Sequence, residues 1–209
     1  MRIRVKICGI TNWKDAEIAI DAGADALGFN FYAKSPRRIA VSHAKEIIDH
    51  MPSHVTAVGV FVNGSARAVL RIARTTNLGM LQLHGEESPA AVERLAREYP
   101  VIKAFRVGPR FRVSELKRYA SAAGFLLDGY DVKRRGGTGK RFDWNVARDA
   151  KRYGSVILAG GLRAESVADA IRQVKPFGLD VCSGVETRAG KKDAKKVQKL
   201  MAAVRRVGQ

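Results

Sequence analysis

Hydrophobic residues along the chain form two kinds of segment that follow each other in turn. Short, nearly continuous apolar runs are separated by longer segments in which apolar residues recur every three or four positions. Short apolar runs are typical of strands that are buried on both faces, as in a parallel sheet. The pattern predicts eight strands, which are Ile3–Ile7, Ala26–Phe31, Ala57–Val62, Met80–Leu83, Val101–Phe105, Phe125–Leu127, Val156–Ala159 and Leu179–Cys182.

The longer segments have the periodicity of amphipathic helices. Residues that favour helix starts support several of them, namely Thr11-Asn12, Ser42, Ser88-Pro89 and Asp143. Eight helices are therefore predicted, which are Trp13–Ala22, Val41–His50, Ala66–Thr75, Pro89–Tyr99, Val113–Ala122, Trp144–Tyr153, Glu165–Val174 and Asp193–Val207.

Strict alternation of eight strands and eight helices over 209 residues is typical of an α/β fold of the (β/α)8 TIM-barrel type. An open doubly wound sheet is the alternative, but no linker or change of composition divides the chain, which favours closure. We expect a single domain over residues 1–209.

Composition limits the class of protein. Hydrophobic residues make up 46% of the chain, which excludes a disordered protein, and no apolar run is long enough to span a membrane. The first residues, MRIRVKICGI, do not have the pattern of a secretory signal. Two cysteines and four histidines fit neither a disulfide framework nor a metal motif, so a reducing cytoplasm and no metal are expected.

A net charge of +18 suits a nucleic acid or a small anionic substrate equally well. In a TIM barrel, ligands bind at the carboxyl ends of the strands, and a phosphate often binds at the loops after strands 7 and 8. The glycines at those places, with the serine beside them, are candidate phosphate ligands through their backbone amides: Gly160, Gly161, Ser183 and Gly184. The alternative is that these glycines only turn the chain. Ser183 and Glu186 also have the spacing of a capping box.

Two residues at strand ends are candidates for proton transfer. Cys8 shares a strand face with Lys6, and a neighbouring cation favours the thiolate that could act as a base. Asp128 follows the sixth strand and could act as an acid. An acid and a base that face each other across the barrel mouth are what an isomerase without a cofactor needs. A buried core cysteine and a capping aspartate are the structural alternatives.

The other polar strand ends are less diagnostic. Gln82 and His84 could contact a ligand or serve as structural residues, and Asp180 could pair with Lys6 or with the ligand. Residues 136–140, GGTGK, predict a glycine-rich lid, because Arg134 and Arg141 rule out a P-loop. A solvated loop without a ligand is the alternative. We expect Cys182 to be a packing residue, and Lys191–Lys196 to be part of a solvated helix face.

Motifs along nearly the whole chain resemble those of the phosphoribosylanthranilate isomerase family of tryptophan biosynthesis. The matching stretches are VKICGITN (5–12), GADALGFNFYAKSPRRI (23–39), GVFVN (59–63), LQLHGEE (81–87), IKAF (102–105), LLD (126–128), GGTGKRFDW (136–144), LAGGL (158–162) and DVCSGVE (180–186). Cys182 is a departure, since many relatives look to have a small hydroxyl residue there, and its presence puts one phosphate-side hydrogen bond in doubt.

The resemblance implies an Amadori rearrangement of N-(5-phospho-β-D-ribosyl)anthranilate to 1-(2-carboxyphenylamino)-1-deoxy-D-ribulose 5-phosphate, without a cofactor. By motif, Cys8 is the general base, Asp128 the general acid and Arg37 the ligand of the anthranilate part. The phosphate falls at the glycines already named. Further candidates for substrate binding are Gln82, His84, Gly137, Gly139 and Asp180.

Three alternative functions stay open at this point. The aminoaldose isomerase of the histidine pathway uses the same barrel, but it typically has an aspartate where Cys8 stands. A nucleic-acid-binding protein would have aromatic residues interleaved with its basic segments, and they are missing here. A non-catalytic barrel is the third. We therefore expect a small anionic phosphosugar–anthranilate substrate, no nucleic acid, no membrane, and a monomer or homodimer.

Overall fold

Eight parallel strands close into a barrel in the computed structural model of the chain, which describes residues 2–129 and 143–207. Each strand pairs with the next one along the chain, and β8 pairs with β1. This confirms the predicted (β/α)8 barrel and excludes the alternative of an open doubly wound sheet. The strands are β1 (Arg4–Cys8), β2 (Ala26–Asn30), β3 (Thr56–Phe61), β4 (Met80–Leu83), β5 (Val101–Val107), β6 (Gly124–Gly129), β7 (Val156–Ala159) and β8 (Gly178–Val181).

Helices in the described part of the chain surround the barrel. Side chains of Asn12, Ser88 and Asp143 accept hydrogen bonds from the first backbone amides of their helices, as predicted. The prediction for Ser42 was wrong: Ala40 precedes the helix, without a side-chain cap. The α-helices are α1 (Trp13–Asp21), α2 (Val41–Asp49), α3 (Ala66–Thr75), α4 (Pro89–Ala96), α5 (Trp144–Ala150), α6 (Ala164–Val174) and α7 (Ala194–Val207).

The fifth predicted helix is a 3-10 helix, Val113–Tyr119, and not an α-helix. Its buried Leu116 and its half-buried Val113 and Tyr119 pack toward the core. These residues are spaced by three positions, which places them on one face of a helix with three residues per turn. An α-helix would rotate one of them away from the sheet. A second 3-10 segment, Lys151–Tyr153, ends the sixth predicted helix.

The apolar core has two parts. The larger part lies between the strands and the helices, and a smaller cluster contains residues of β5, β6 and β7: Ile102, Ala104, Leu126, Ile157 and Ala159. Side chains alternate between the two faces of a strand. The residues two positions beyond the inner apolar ones, such as Asp128 after Leu126, therefore extend the same face to the carboxyl ends of the strands. The inner face becomes polar at that rim.

A short antiparallel hairpin follows the barrel and lies against its rim. It consists of β9 (Glu186–Arg188) and β10 (Lys191–Lys192), and a 3-10 turn, Ser183–Val185, connects it to β8. Lys192 is therefore a strand residue with a fully buried side chain. The prediction that 191–196 is one solvated helix face was wrong for this part of the run; Lys195 and Lys196 do lie exposed on α7. Among the described residues, none of the helices is both long enough and apolar enough to span a membrane.

Candidate active site

Cys8 ends β1 and lies on the inner face of the barrel, with 8% of its surface exposed. Its register neighbour on β2 is Gly28. A Cβ atom at Gly28 would lie 2.7 Å from the Cys8 Sγ and 2.9 Å from the Lys6 Cε. A glycine at this position of β2 therefore leaves the space that both side chains occupy, and Cys8 and Lys6 share one face, as strand alternation predicts.

Lys6 and Asp180 form a buried ion pair between β1 and β8. The Lys6 Nζ donates to the Asp180 Oδ1 at 2.7 Å, and both side chains are less than one-tenth exposed. Burial lowers the pKa of Lys6, but the charges of Asp180 and Cys8 outweigh burial, so the net change is upward. Burial and the Cys8 charge raise the pKa of Asp180 to about 6 against the opposing effect of Lys6. Of the two alternatives for Asp180, the structure shows the pairing with Lys6.

The thiol of Cys8 has a strongly lowered pKa. The largest cause is a hydrogen bond from Cys182; burial opposes it, and the positive charges of Lys6 and Lys192 add to it. The same hydrogen bond and burial raise the pKa of Cys182 well above its ordinary value. The surroundings therefore favour the thiolate form of Cys8 and the thiol form of Cys182. Cys182, expected to be a packing residue, lies beside the candidate base.

Glu186 is the centre of a second buried network, which the sequence did not predict. Its carboxylate accepts hydrogen bonds from the Lys192 Nζ at 2.9 Å and from the Gly190 amide at 3.1 Å. Burial raises the pKa of Glu186, but hydrogen bonds from Arg37 and the charge of Lys192 reverse this and lower it to about 2. The predicted capping box of Ser183 and Glu186 was wrong, because this carboxylate binds cations instead and the turn has no side-chain cap.

Arg37 lies at the rim of the barrel and is held in place by Glu186. Its Nε donates to the Oε1 at 2.9 Å and its Nη2 to the Oε2 at 2.7 Å, a two-point contact that fixes the plane of the guanidinium. About a quarter of the side chain stays exposed. The Arg37 Cδ lies 2.7 Å from the position of a Cβ at Gly9, the residue after Cys8. The cation therefore borders the candidate base.

Asp128 lies near the end of β6, on the same face as the inner core residue Leu126, and its side chain is 31% exposed. The Asp128 Oδ2 is 3.5 Å from the His84 Nε2, and the His84 Nδ1 is 3.0 Å from the Gln82 Nε2. The structure thus brings Gln82, His84 and Asp128 into one chain of contacts.

The loop that carries His84 is anchored by another buried ion pair. The Lys103 Nζ lies 3.0 Å from the Glu87 Oε2 and donates to the Gly85 carbonyl at 2.8 Å. The Glu87 carboxylate in turn accepts the Gly85 and Asn63 amides. Burial lowers the pKa of Lys103, with Glu87 acting against it. These contacts fix the β4 loop, so His84 has a defined position relative to Asp128.

The glycines after β7 and β8 form the remaining part of the rim. Gly160 and Gly161 have φ values of +89° and +64°, a region that other residues rarely adopt. A Cβ at Gly160 would lie 2.8 Å from the Asp128 Oδ1, and one at Gly184 would overlap the Leu162 carbonyl. The two loops therefore pack against each other, and the Gly160 loop packs against the β6 end. Ser183 is exposed beside them.

Two of the predicted site residues, Gly137 and Gly139, lie outside the described residues. The others from the sequence analysis lie at the carboxyl ends of the strands or in the loops that follow them. Lys6, Glu186, Lys192 and Lys103 were not named there as site residues. Only Lys6 had a detectable pattern, since its alternation with Cys8 places it on the same strand face.

Known proteins resemble this chain over nearly its whole length. The profile of the family described as N-(5'phosphoribosyl)anthranilate (PRA) isomerase matches residues 5–203. The N-(5'-phosphoribosyl)anthranilate isomerase of Citrifermentans bemidjiense is 48% identical over 98% of each chain. The phosphoribosyl anthranilate isomerase of Thermotoga maritima, also solved as monomers generated from a dimeric form, superimposes with a TM-score of 0.91 at 39% identity, covering 97% of this chain and 98% of that one.

A further structure is that of a phosphoribosyl anthranilate isomerase in complex with reduced 1-(o-carboxyphenylamino)-1-deoxyribulose 5-phosphate. It superimposes with a TM-score of 0.88 at 37% identity, and covers 97% of this chain and 98% of that chain. The fold, the polar rim at the carboxyl ends of the strands, and these matches agree. This chain belongs to the N-(5'-phosphoribosyl)anthranilate isomerase family.

Proposed function

We propose that this chain isomerises N-(5'-phosphoribosyl)anthranilate in tryptophan biosynthesis, with Cys8 as general base and Asp128 as general acid. The observation that carries the proposal is that a thiol with a lowered pKa on β1 and a carboxyl group on β6 both lie on the inner face of one barrel of this family. The histidine-pathway isomerase is expected to have an aspartate at the position that Cys8 occupies in this chain. A reducing cytoplasm stays the expected compartment, and a monomer or homodimer the expected assembly.

The purified protein tests this proposal directly. Phosphoribosylanthranilate is generated enzymatically from anthranilate, and the loss of its fluorescence is followed with and without the protein. We expect a rate proportional to protein concentration. A chain that folds, by circular dichroism, but leaves the fluorescence at the uncatalysed rate would show that the assigned activity is wrong.

In the first step Asp128 acts as an acid. Its carboxyl proton goes to the ribose ring oxygen, the bond from that oxygen to C1′ breaks, and the anilino nitrogen lone pair forms a C=N bond. The product is an open-chain iminium cation. Asp128 has the exposure that contact with a substrate requires, and the His84 ring fixes its orientation. Asp128 takes up the proton for this step from solvent before each turnover.

In the second step Cys8 acts as a base. Its thiolate takes the C2′ proton, and the electrons of that C–H bond neutralise the iminium and form an enolamine. The enolamine then becomes the ketose when the C2′ hydroxyl proton is lost and C1′ is protonated. One proton has left Asp128 and one has reached Cys8, so solvent exchange restores both groups. No external oxidant or reductant is needed, because the rearrangement is internal to the sugar.

The cationic rim fits a substrate with two anionic ends. Arg37 keeps a guanidinium beside Cys8 and is our candidate for the anthranilate carboxylate. The backbone of Gly160, Gly161, Ser183 and Gly184 is our candidate for the phosphate, since loops of this kind bind phosphate in many TIM barrels. Gln82, His84 and Asp180 contribute through the contacts described above, and Gly137 and Gly139 remain predicted substrate ligands.

Replacing Arg37 by alanine is expected to raise KM about tenfold to a hundredfold and to change kcat less. A charge-assisted hydrogen bond to the substrate is lost in the ground state and in the transition state alike, which is the pattern of uniform binding. Initial rates over a range of substrate concentrations separate the two constants. Arg38→Ala, next to it in the chain, is the matched control. An unchanged KM in Arg37→Ala would place this guanidinium outside the substrate site.

Inorganic phosphate and sulfate are expected to inhibit competitively. Both ions should occupy the glycine loops after β7 and β8, and so raise the apparent KM without lowering kcat. Rates measured at constant ionic strength, with chloride as the control anion, isolate the specific effect from charge screening. Inhibition by chloride and by phosphate to the same degree would contradict a phosphate site at these loops.

A further inference from the structure

Cys8 is the last residue of β1, and Cys182 is the first residue after the neighbouring strand β8. In the register of β1 and β8, Lys6 pairs with Asp180 and Ile7 pairs with Val181. Cys8 and Cys182 come next on each chain segment, and neighbouring strands are separated by about 4.8 Å. Cys8 lies on the inner face of β1 with Lys6, and Cys182 directly follows the end of β8 at the same rim. The chain contains only these two cysteines, and both are free thiols.

Two glycines leave room for the two sulfur atoms. A Cβ at Gly28 would lie 2.7 Å from the Cys8 Sγ, and a Cβ at Gly9 would lie 3.1 Å from the Cys182 Sγ. Side chains at either glycine would displace one of the thiols. Each thiol therefore lies against a glycine whose missing side chain leaves it room.

The charged groups around the pair come from five places in the fold. They are Lys6 on β1, Asp180 on β8, Arg37 after β2, Glu186 on β9 and Lys192 on β10. Three cations and two carboxylates leave one positive charge in excess. One thiolate balances that charge, whereas a second thiolate beside the first would meet like-charge repulsion. The surroundings thus favour one ionised and one protonated sulfur.

The Cys182 thiol also lies 3.8 Å from the Glu186 Oε1. That oxygen already accepts hydrogen bonds from the Arg37 Nε at 2.9 Å and the Lys192 Nζ at 2.9 Å. A carboxylate oxygen with two cationic donors has little capacity left for a weak S–H donor. The thiolate of Cys8 is the stronger remaining acceptor.

We propose that Cys182 is a positioning residue for Cys8: its thiol donates a hydrogen bond to the Cys8 thiolate, and the two sulfur atoms hold one proton between them. This inference rests on the assignment of Cys8 as the base. The direction of both pKa changes, downward for Cys8 and upward for Cys182, supports it. Lys192 lies beside both cysteines: its Nζ is 4.0 Å from the Cys182 Sγ and donates a hydrogen bond to the Cys8 carbonyl.

The experiment measures thiolate formation without any need for activity. Wild type, Cys182→Ala and Cys182→Ser are alkylated with limiting iodoacetamide from pH 5 to 10, and peptide mass spectrometry assigns the first modification to either cysteine. In Cys182→Ala we expect the midpoint for Cys8 to rise by about one pH unit, so that alkylation below the midpoint is about tenfold slower. The serine hydroxyl can donate the same hydrogen bond, so Cys182→Ser should recover most of the change.

The wild-type protein alone provides a second test, which needs no variant. Cys8 should be modified with a midpoint below the value of about 8.5 for a free thiol, and Cys182 with a midpoint above it. Equal midpoints, or a midpoint for Cys8 that Cys182→Ala leaves unchanged, would overturn the inference. Val5→Ala, which removes buried volume from β1 but keeps both thiols, should retain the wild-type midpoints and so controls for destabilisation.

The isomerase assay distinguishes this inference from the proposed function. If the wild type is active, the acidic limb of its kcat profile should move with the alkylation midpoint in Cys182→Ala and return in Cys182→Ser. An inactive wild type that shows the expected midpoints would refute the proposed function and leave the thiol pair standing. An active enzyme whose pH profile is the same in all three proteins would refute the role of Cys182.

Discussion

Cys8→Ala is expected to lower kcat by about 10²- to 10⁴-fold, because it removes the group that takes the C2′ proton. No other thiolate can replace it, since Cys182 is the only remaining cysteine and its pKa is raised. The melting temperature should fall only as much as is usual when one small buried side chain is shortened. Turnover in the fluorescence assay and the melting temperature by circular dichroism measure the two effects separately.

Two variants show whether this loss is chemical. Val5→Ala truncates another buried residue of β1, at the other end of the strand, so it should lower the melting temperature but keep turnover. Cys8→Ser preserves the volume at the site but not the low pKa, and it should be almost as inactive as Cys8→Ala. Turnover of Cys8→Ala within a few fold of wild type would remove this residue from the mechanism.

The order of strands could be predicted because each barrel strand is a short, mostly apolar run that stands between two segments with helical periodicity. Met80–Leu83 and Val156–Ala159 were predicted to the residue, since polar residues or glycines bound both runs. Helix type was less certain. Val113, Leu116 and Tyr119 fit a 3-10 helix, but apolar residues three positions apart also occur in α-helices, so only packing against the core decides between them.

The site could be predicted where a single strand determines it. Alternation along β1 places Lys6 beside Cys8, and the position of Asp128 after an apolar run places it at the rim. The contacts of Glu186 could not be predicted, because Arg37 lies 149 positions away and binds it only after the barrel closes. Lys192 illustrates the same limit: within a run of lysines it has the pattern of an exposed residue, yet Glu186 holds it in the interior.

Three buried lysines support the rim, and each has its own carboxylate. Lys6 pairs with Asp180 under the thiol, Lys103 pairs with Glu87 under the His84 loop, and Lys192 pairs with Glu186 behind Arg37. Burying such pairs is costly, and removing one partner leaves an uncompensated charge in the interior. Their common location beneath the strand ends indicates that they orient the proposed catalytic groups.

Asp128→Asn is expected to reduce kcat by about 10²- to 10⁴-fold, because the amide has the shape of the carboxyl group but cannot give its proton to the ring oxygen. The Asp128 side chain is about one-third exposed, and its one ion-pair contact within the described residues is with His84. The melting temperature should therefore stay close to that of wild type. The loss should lie in kcat, with KM nearly unchanged, since shape and polarity at the site are preserved.

Asp21→Asn is the matched control for the removal of one carboxylate. Asp21 is exposed at the end of α1, on the side of the barrel opposite the rim, so this variant should retain full turnover. The stage of the block can also be identified: if Asp128 opens the ring, Asp128→Asn should bind the substrate and return it unopened after a denaturing quench. Recovery of the open-chain ketose at the wild-type rate would assign the protonation of the ring oxygen to a group other than Asp128.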